Sequence, residues 1–163
     1  MIRKVQFSDA EHIINIYNYY IDNTAITFET SKINVNEEKQ RIKKILDNNY
    51  PFIVYEEQNV IVGYAYLSKW REREAYNHTL ESSIYIHKDY QNKGIGKMLY
   101  SELIKSGKAQ GVHTLVGIIS IPNIQSQKLH ERFGFKKVGL LKDAGYKFNK
   151  FIDVELWQLI FCK

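Results

Sequence analysis

Apolar residues recur along this chain with two different spacings, one typical of helices and one typical of strands. Apolar residues that recur every three or four positions predict amphipathic helices, whereas short apolar runs bounded by turn residues favour strands. The helical spacing is found at Ile13, Ile16, Tyr17 and Tyr20, at Ile42, Ile45 and Leu46, and at Ile95, Leu99 and Leu103. Strand-like runs occupy residues 2–6, 52–67 (divided in two), 79–87, 114–119, 135–141 and 151–161.

Cap and turn residues set the predicted limits of these elements. Ser8 and Glu11 match a capping box at the start of the first helix, and Gln58–Asn59 predicts the turn of an antiparallel hairpin. A second helix is predicted over residues 35–49. A third helix is predicted to end at Gln110, before Gly111. A fourth helix is predicted to begin at Asn123 and to stop at Gly134.

These elements follow one another in the order β-α-α-β-β-β-α-β-α-β-β. The order predicts an α/β (α+β) fold with a mixed central sheet of about seven strands, antiparallel and then parallel, flanked by about four helices. No Pro/Gly linker, low-complexity tract or internal repeat interrupts the chain. Residues 1–163 are therefore expected to form a single domain.

Composition narrows the possible partners. The chain has 163 residues, 44% of them hydrophobic, and a formal net charge of +5, which favours an acidic ligand. Basic residues alternate with acidic ones, as in residues 37–44, so a nucleic-acid partner is not expected. No apolar run has the length of a membrane helix and the N-terminus lacks a signal-peptide core, which predicts a cytoplasmic protein without a membrane partner.

Cysteine and histidine usage also excludes some chemistry. The single cysteine, Cys162, rules out an internal disulfide framework and is not expected to be a catalytic thiol. His78, His87 and His113 are scattered without the spacing of metal ligands, so no metal is expected.

The glycine pair Gly94 and Gly96 lies between a predicted strand and a predicted helix. Glycine lets a ligand approach the backbone, and the first amides of a helix lack an internal partner, so such a turn suits phosphate oxygens. A Walker loop needs a wider glycine spacing followed by Lys and Ser/Thr, and a dinucleotide fingerprint needs a third glycine where Leu99 stands. Taken alone, the pair favours an ordinary tight turn.

Further motifs in a fixed order give this turn a context. Residues 91–96, "QNKGIG", fit the pattern Gln/Arg-x-x-Gly-x-Gly/Ala. "TFET", "AYNHTLESSIYI", "LHERFGF" and "AGYK" followed by "DVELWQ" are spread over the rest of the chain. In these motifs the sequence resembles the GCN5-related N-acetyltransferase (GNAT) superfamily, and within it the phosphinothricin acetyltransferase branch, over nearly the entire chain.

The resemblance implies acetyl-CoA as co-substrate, bound at the glycine turn. Backbone amides of residues 94–97 are expected to meet its pyrophosphate, Lys93 and Lys97 to add positive charge, and the backbone of residues 84–86 to pair with the pantetheine arm. Asn123 is equally compatible with a plain helix cap. The expected acetyl-CoA residues are Ile84, Tyr85, Ile86, Gln91, Asn92, Lys93, Gly94, Ile95, Gly96, Lys97, Asn123 and Ser126.

The same resemblance implies two catalytic residues, Glu81 and His130. Transfer to an amine requires a base, and Glu81 corresponds to the acidic residue of the branch's "ESxxY" motif. An unperturbed glutamate titrates near ~4.3, so either burial must raise the pKa of Glu81 or a water must relay the proton. His130 stands where many superfamily members have a tyrosine, and imidazole serves as acid or base near neutrality.

The amino substrate is expected beside Glu81. An arginine fork suits carboxylate or phosphinate oxygens, and the loop before Glu81 carries two arginines. Arg71 and Glu29 are equally compatible with solvated loop positions. The expected substrate residues are Phe28, Glu29, Arg71, Arg73, Tyr76, Tyr146 and Lys147.

Three functions follow from these patterns. The first is acetylation of the α-amino group of a small amino acid or analogue, of the phosphinothricin or methionine sulfoximine type. The second is acetylation of a protein lysine or N-terminus, and the third is a non-catalytic CoA- or nucleic-acid-binding module. The presence of both Glu81 and His130 argues against the module. The resemblance to the acetyltransferase family also implies a homodimer, because domains of that family commonly pair.

Overall fold

The computed structural model describes residues 1–161 and contains a seven-stranded sheet flanked by four α-helices. The strands are β1 (Ile2–Lys4), β2 (Phe52–Glu57), β3 (Val60–Lys69), β4 (Thr79–Ile86), β5 (Thr114–Ser120), β6 (Lys136–Lys147) and β7 (Lys150–Ile160). The helices are α1 (Ala10–Asn23), α2 (Val35–Asp47), α3 (Ile95–Ala109) and α4 (Ile124–Arg132). The predicted element order and fold class are confirmed; Cys162 lies outside the described residues.

The strands lie in the order β1-β2-β3-β4-β5-β7-β6, and the pairing is antiparallel except between β4 and β5. The parallel pair is short, because only Thr79–Glu81 pair with Thr114–Val116. Beyond these residues β4 stays paired with β3, and β5 with β7. The two central strands therefore diverge in the second half of their length.

Alternation along the strands builds a core on each face of the sheet. On one face, Ala65 and Leu67 of β3 pack with Leu99 and Leu103 of α3. On the other face, Tyr64 of β3 joins residues of α1 and α2. The period-two pattern of the sequence thus separates one helix layer from the other.

Two predicted features at the chain's ends were wrong. The first helix does not begin with a Ser8–Glu11 capping box, because the Asp9 carboxylate accepts the Gln6 backbone N–H at 2.8 Å and is held by Arg3. The sixth strand does not end at residue 141 but continues to Lys147 across an irregularity between Leu141 and Gly145. Residues 146 and 147 consequently belong to β6 and not to a loop.

Most predicted helix ends and turns are confirmed within one or two residues. Gly111 and Gly134 have φ of +78° and +85°, the left-handed conformation expected after a helix. The Asn123 side chain accepts the Ser126 backbone N–H at 3.2 Å and so caps α4. None of the helices within residues 1–161 is both long and apolar enough to cross a membrane.

One buried acid stands out in the layer formed by α1 and α2. Glu38 of α2 is only 5% exposed, and burial raises its pKa to about 7, which the nearby charge of Arg41 only partly offsets. A carboxyl group whose pKa is higher in the folded than in the unfolded chain favours folding in its protonated form. Its contribution to stability is complete below the ordinary glutamate pKa and is lost as the pH rises through about 7.

We therefore expect Glu38→Gln to stabilise the protein at alkaline pH. The variant should exceed the wild type in unfolding free energy by roughly 2 to 4 kcal/mol at pH 8 and by little at pH 4. Urea unfolding at both pH values measures this difference. Glu57→Gln, at an exposed end of β2, is the matched control and should show no such pH-dependent gain. An equal effect of Glu38→Gln at both pH values would contradict the buried titration.

Candidate active site

The divergence of β4 and β5 opens a cleft that consists of two cavities. The outer cavity, of about 360 Å³, reaches the glycine turn, and the inner cavity, of about 210 Å³, reaches Glu81 and His130. The two cavities have four lining residues in common: Ile26, Ile84, Asn123 and Ser126. The cleft is therefore continuous from the glycine turn to the two predicted catalytic residues.

The outer cavity fits an extended ligand with an anionic group. Gly94 precedes α3 with φ of +81°, and the amides of residues 95–97 have no acceptor within the helix. A Cβ atom on Gly96 would lie 3.9 Å from Ile86 Cγ1 and 4.0 Å from Ile84 Cδ1, so it would enter the cavity without striking the backbone. Beyond Glu81 the edge of β4 that faces β5 has no strand partner, so its backbone groups, except the Ile86 carbonyl that is bound by Tyr20, are available to a ligand.

Most of the predicted acetyl-CoA residues line this cleft. The outer cavity is lined by Ile84, Ile86, Gln91, Asn92, Gly94, Gly96, Lys97, Asn123 and Ser126. Tyr85 lines the inner cavity instead. Ile95 is buried in the core, and Lys93 places its ammonium 4.3 Å from the centre of the Tyr90 ring.

Gln91 also has a structural contact. Its side-chain amide donates to the Tyr20 hydroxyl at 3.0 Å, and that hydroxyl donates to the Ile86 carbonyl at 2.5 Å. These bonds attach the turn before α3 to α1 and to the end of β4. Tyr20 was not predicted as a site residue, and only its place in the helical apolar pattern marks it in the sequence.

Glu81 lies half-buried in the wall of the inner cavity. Burial raises the pKa of its carboxyl group, and the charge of Arg71 partly counteracts this effect. The direction of the shift is the one expected of a glutamate that removes a proton near neutral pH.

His130 closes the other side of the inner cavity and is 4% exposed. Its Nδ1 lies 2.8 Å from the Ser126 carbonyl, which only accepts, so Nδ1 carries a hydrogen. Its Nε2 lies 2.9 Å from the Tyr100 hydroxyl, and that hydroxyl lies 2.8 Å from Ser82 Oγ. Burial lowers the pKa of His130, so the neutral ring predominates at neutral pH.

The Tyr100–Ser82 chain satisfies His130 in both charge states. When the ring is neutral, Nε2 accepts from Tyr100, and Tyr100 can accept from Ser82. When the ring is protonated, Nε2 donates to Tyr100, Tyr100 donates to Ser82, and Ser82 can donate to the Val116 carbonyl at 3.3 Å. Rotation of two hydroxyl groups thus accommodates a proton on Nε2. Tyr100 and Ser82 were not predicted from the sequence, because Tyr100 reads as an ordinary core position.

A glycine in β5 makes room for the imidazole. A Cβ atom on Gly117 would lie 2.3 Å from His130 Nε2, which is far inside van der Waals contact. The ring therefore packs directly on the β5 backbone at the point where this strand has left β4.

The predicted substrate residues are distributed around the inner cavity and are not all part of its wall. Phe28 lines it, and the Phe28 ring packs on Gly145 of β6. Glu29 is engaged by Arg41 through two bonds of 2.7 and 3.1 Å, and by the Tyr17 hydroxyl.

The remaining predicted substrate residues lie farther out. Arg71, Arg73 and Tyr76 are on the exposed connection between β3 and β4, where Arg71 stacks on Trp70 and is close enough to lower the pKa of Glu81. Tyr146 and Lys147 line a separate cavity near Phe148. Lys147 is buried, and its ammonium donates to the Thr27 carbonyl at 2.8 Å, next to Phe28.

Comparisons with known proteins agree with this geometry. A family model described as an acetyltransferase (GNAT) domain matches residues 2–157. Phosphinothricin N-acetyltransferase of Streptomyces viridochromogenes is 36% identical over 157 residues, which cover 96% of this chain and 85% of the relative.

Solved structures show the same likeness. A GNAT superfamily phosphinothricin acetyltransferase from Sinorhizobium meliloti, in complex with acetyl-CoA, matches with a TM-score of 0.96 and 33% identity, over 99% of this chain and 88% of that one. A ribosomal-protein-alanine N-acetyltransferase from Brucella melitensis matches with a TM-score of 0.97 and 30% identity, over 99% of both chains. Since sequence, fold and cleft agree, this chain belongs to the GNAT family of acetyltransferases.

Proposed function

We propose that this protein transfers the acetyl group of acetyl-CoA to the α-amino group of a small amino acid or analogue. The observation that carries the proposal is the continuous cleft between β4 and β5, which joins the glycine turn to Glu81. Acetyl-CoA supplies the activated acyl group when bound. Similarity to a protein solved with acetyl-CoA supports this choice of co-substrate.

The residues of the outer cavity are proposed to hold the CoA part. Amides at the start of α3 face the pyrophosphate, and Lys97 and Lys93 add charge. The edge of β4 that faces β5, at residues 84–86, offers its remaining backbone groups to the pantetheine arm. Asn123 and Ser126 belong to both cavities and border the passage between them.

Glu81 is proposed as the base that takes a proton from the substrate ammonium. Because the pKa of its carboxyl group is raised, it is closer to the pKa of an α-amino group, ~7.7 to 8.0. Proton transfer from the ammonium to the carboxylate is therefore less unfavourable. His130 is proposed to share the acid-base chemistry from the opposite wall. Its hydrogen-bond chain supports this role, because the chain accommodates the ring with and without the extra proton.

The acceptor is proposed to be of the phosphinothricin or methionine sulfoximine type. Relatives and neighbours named as phosphinothricin acetyltransferases support this class. Phe28 in the cavity wall offers an apolar contact, and the arginines at positions 71 and 73 suit a second anionic group. Glu29, Tyr76, Tyr146 and Lys147 are proposed to border the entrance that the acceptor uses.

One observation favours a second candidate function. The Brucella melitensis neighbour is named for acetylation of a ribosomal protein, and it is as similar in fold as the phosphinothricin acetyltransferase. A peptide N-terminus and a free amino acid present the same α-amino group to Glu81. They differ in whether the entrance admits a continuing chain.

We also propose that residues 1–163 form one cytoplasmic domain that pairs as a homodimer. Strand β6 ends the sheet, and it exposes apolar side chains together with β7. Exposed apolar side chains on an edge strand are typical of a contact surface. The exposed residues are Val138, Leu140, Leu141, Tyr146 and Phe151.

Gly96→Val should weaken acetyl-CoA binding at least tenfold without unfolding the protein. The added side chain would project toward Ile84 and Ile86 within the outer cavity, where the backbone has room for it. Calorimetric titration with acetyl-CoA measures the effect, and circular dichroism checks the fold. Met98→Val, at an exposed position of the same helix, controls for helix propensity. Equal affinities of Gly96→Val and Met98→Val would remove this turn from the site.

Glu81→Gln should lower kcat by about 10² to 10⁴ and change the Michaelis constant for acetyl-CoA by less than about twofold. The wild-type rate should rise with pH as Glu81 loses its proton, above the ordinary glutamate pKa, whereas the variant should follow only the later titration of the substrate amine, near ~7.7 to 8.0. Steady-state kinetics between pH 6 and 9 measure both effects. Glu131→Gln, on the exposed side of α4, is the control. A Glu81→Gln variant with wild-type kcat across this range would refute the assignment.

A panel of acceptors should show saturable activity with phosphinothricin and methionine sulfoximine, and little with free lysine or a peptide N-terminus. Thiol release from acetyl-CoA measures each rate. Saturable activity on the peptide alone would establish the second candidate function instead.

The same panel tests the loop arginines. Arg71→Lys and Arg73→Lys keep the charge but lose the planar fork, so they should raise the Michaelis constant for phosphinothricin and leave that for acetyl-CoA nearly unchanged. Arg132→Lys, on α4, is the matched control. Unchanged acceptor constants in both loop variants would place the acidic group elsewhere.

A further inference from the structure

A further cavity lies between α2 and the strands β2 and β3, apart from the cleft between β4 and β5. Its volume is about 380 Å³, within the range of sites for small molecules. Phe52, Tyr64 and Tyr66 line it from the sheet, and α2 contributes Glu38 and other residues. It has no lining residue in common with the inner or the outer cavity.

Two polar groups of this cavity have no protein partner and are open to the cavity space, since every fully buried side-chain nitrogen or oxygen of the described residues has a hydrogen bond. Glu38 is 5% exposed, and its carboxyl group has no hydrogen bond or ion pair within residues 1–161. Tyr64 is 2% exposed, and its hydroxyl group likewise has no hydrogen bond among the described residues. Water can satisfy both groups, and a polar ligand that enters the cavity can replace that water as their partner.

The charges around the cavity define that ligand further. Arg41 is held by Glu29, and Lys69 lies 3.5 Å from Glu72, so these lining cations have partners. Lys44 has no ion pair among the described residues. One unpaired acid and one unpaired base therefore remain, about 9 Å apart along the axis of α2.

The sheet side of the cavity is aromatic. The rings of Tyr64 and Tyr66 are nearly parallel, with centroids 6.3 Å apart, and Phe52 lies 5.1 Å from Tyr66. Such a surface accepts an apolar side chain, and ring faces also attract an ammonium group.

We propose that this cavity is a second ligand site, which binds a small zwitterionic amino acid with an apolar side chain. Glu38 receives the ammonium group, Lys44 the carboxylate, and the rings of Phe52, Tyr64 and Tyr66 the side chain. The proposal does not depend on the acceptor proposed for the catalytic cleft.

The site is connected to the catalytic cleft through tyrosines. Tyr64 stacks on Tyr85, with ring centroids 5.3 Å apart, and Tyr85 lines the inner cavity. Tyr17 lines the new cavity, and its hydroxyl group lies 2.8 Å from Thr27 Oγ1, next to Phe28. A ligand in the second site therefore contacts side chains that support the wall of the first.

Calorimetric titration of the full chain with L-leucine tests the proposal. L-Leucinamide, which lacks the carboxylate, and 4-methylpentanoate, which lacks the ammonium group, should each bind at least about tenfold more weakly. Glu38→Gln and Lys44→Met should weaken leucine binding by a similar factor. Lys43→Met, which removes a lysine paired with Asp47 and outside the cavity lining, should leave it unchanged.

A variant of the catalytic cleft distinguishes leucine binding in the second site from leucine binding in the cleft. Glu81→Gln should retain wild-type affinity for leucine if the second site exists. Loss of binding in Glu81→Gln with retention in Glu38→Gln would place leucine in the catalytic cleft and overturn the proposal. An absence of leucine binding to the wild type, or equal binding of leucine and 4-methylpentanoate, would also overturn it. The unfolding measurements on Glu38→Gln show independently whether that variant is folded.

Discussion

Strands β4 and β5 separate after Glu81 and Val116, and this separation creates the cleft around which the other elements are arranged. Two adjacent strands that stop pairing leave backbone donors and acceptors without partners, and these groups must be satisfied by water or by a ligand. The outer strands do not share this gap, since β3 continues to pair with β4 and β7 with β5. The rigid flanks thus hold the two edges apart and preserve a cleft in the middle of the sheet.

Alternation along β4 gives the cleft two chemically different sides. Ser82 points toward α3 and joins the hydrogen-bond chain of Tyr100 and His130. Tyr85 points toward α1 and packs on Tyr17 and Tyr64. Glu81 lies at the position where the parallel pairing ends, which leaves its carboxyl group half-buried. One strand therefore supports a buried histidine on one side and an acid with a raised pKa on the other.

Glycine and tyrosine have opposite roles in this arrangement. Gly117 removes a side chain so that His130 can pack on the β5 backbone, and Gly145 does the same for Phe28 on β6. The tyrosines Tyr17, Tyr64, Tyr66 and Tyr85 fill the space between the catalytic cleft and the cavity beneath α2. Their rings pack against one another and form an apolar wall between the two cavities.

The element order, the change from antiparallel to parallel pairing and the glycine turn before α3 could be predicted from the sequence, because they follow from local periodicity and turn chemistry. Most of the residues predicted to hold acetyl-CoA line one cavity, since they follow one another along a single strand-turn-helix segment. Local sequence did not determine the full length of β6, because its second half has no regular alternation and is held by β7.

Contacts between groups that are distant in the sequence could not be predicted and are visible only in the folded chain. The chain from Ser82 through Tyr100 to His130 joins three elements, and nothing in the local pattern distinguishes Tyr100 from other core residues. Glu29, an expected substrate residue, bonds to Arg41, and Glu38, an ordinary polar position in the sequence, is buried beneath α2. Burial and pairing depend on the packing of helices against the sheet, and pKa shifts depend on both, so these properties exist only in the folded chain.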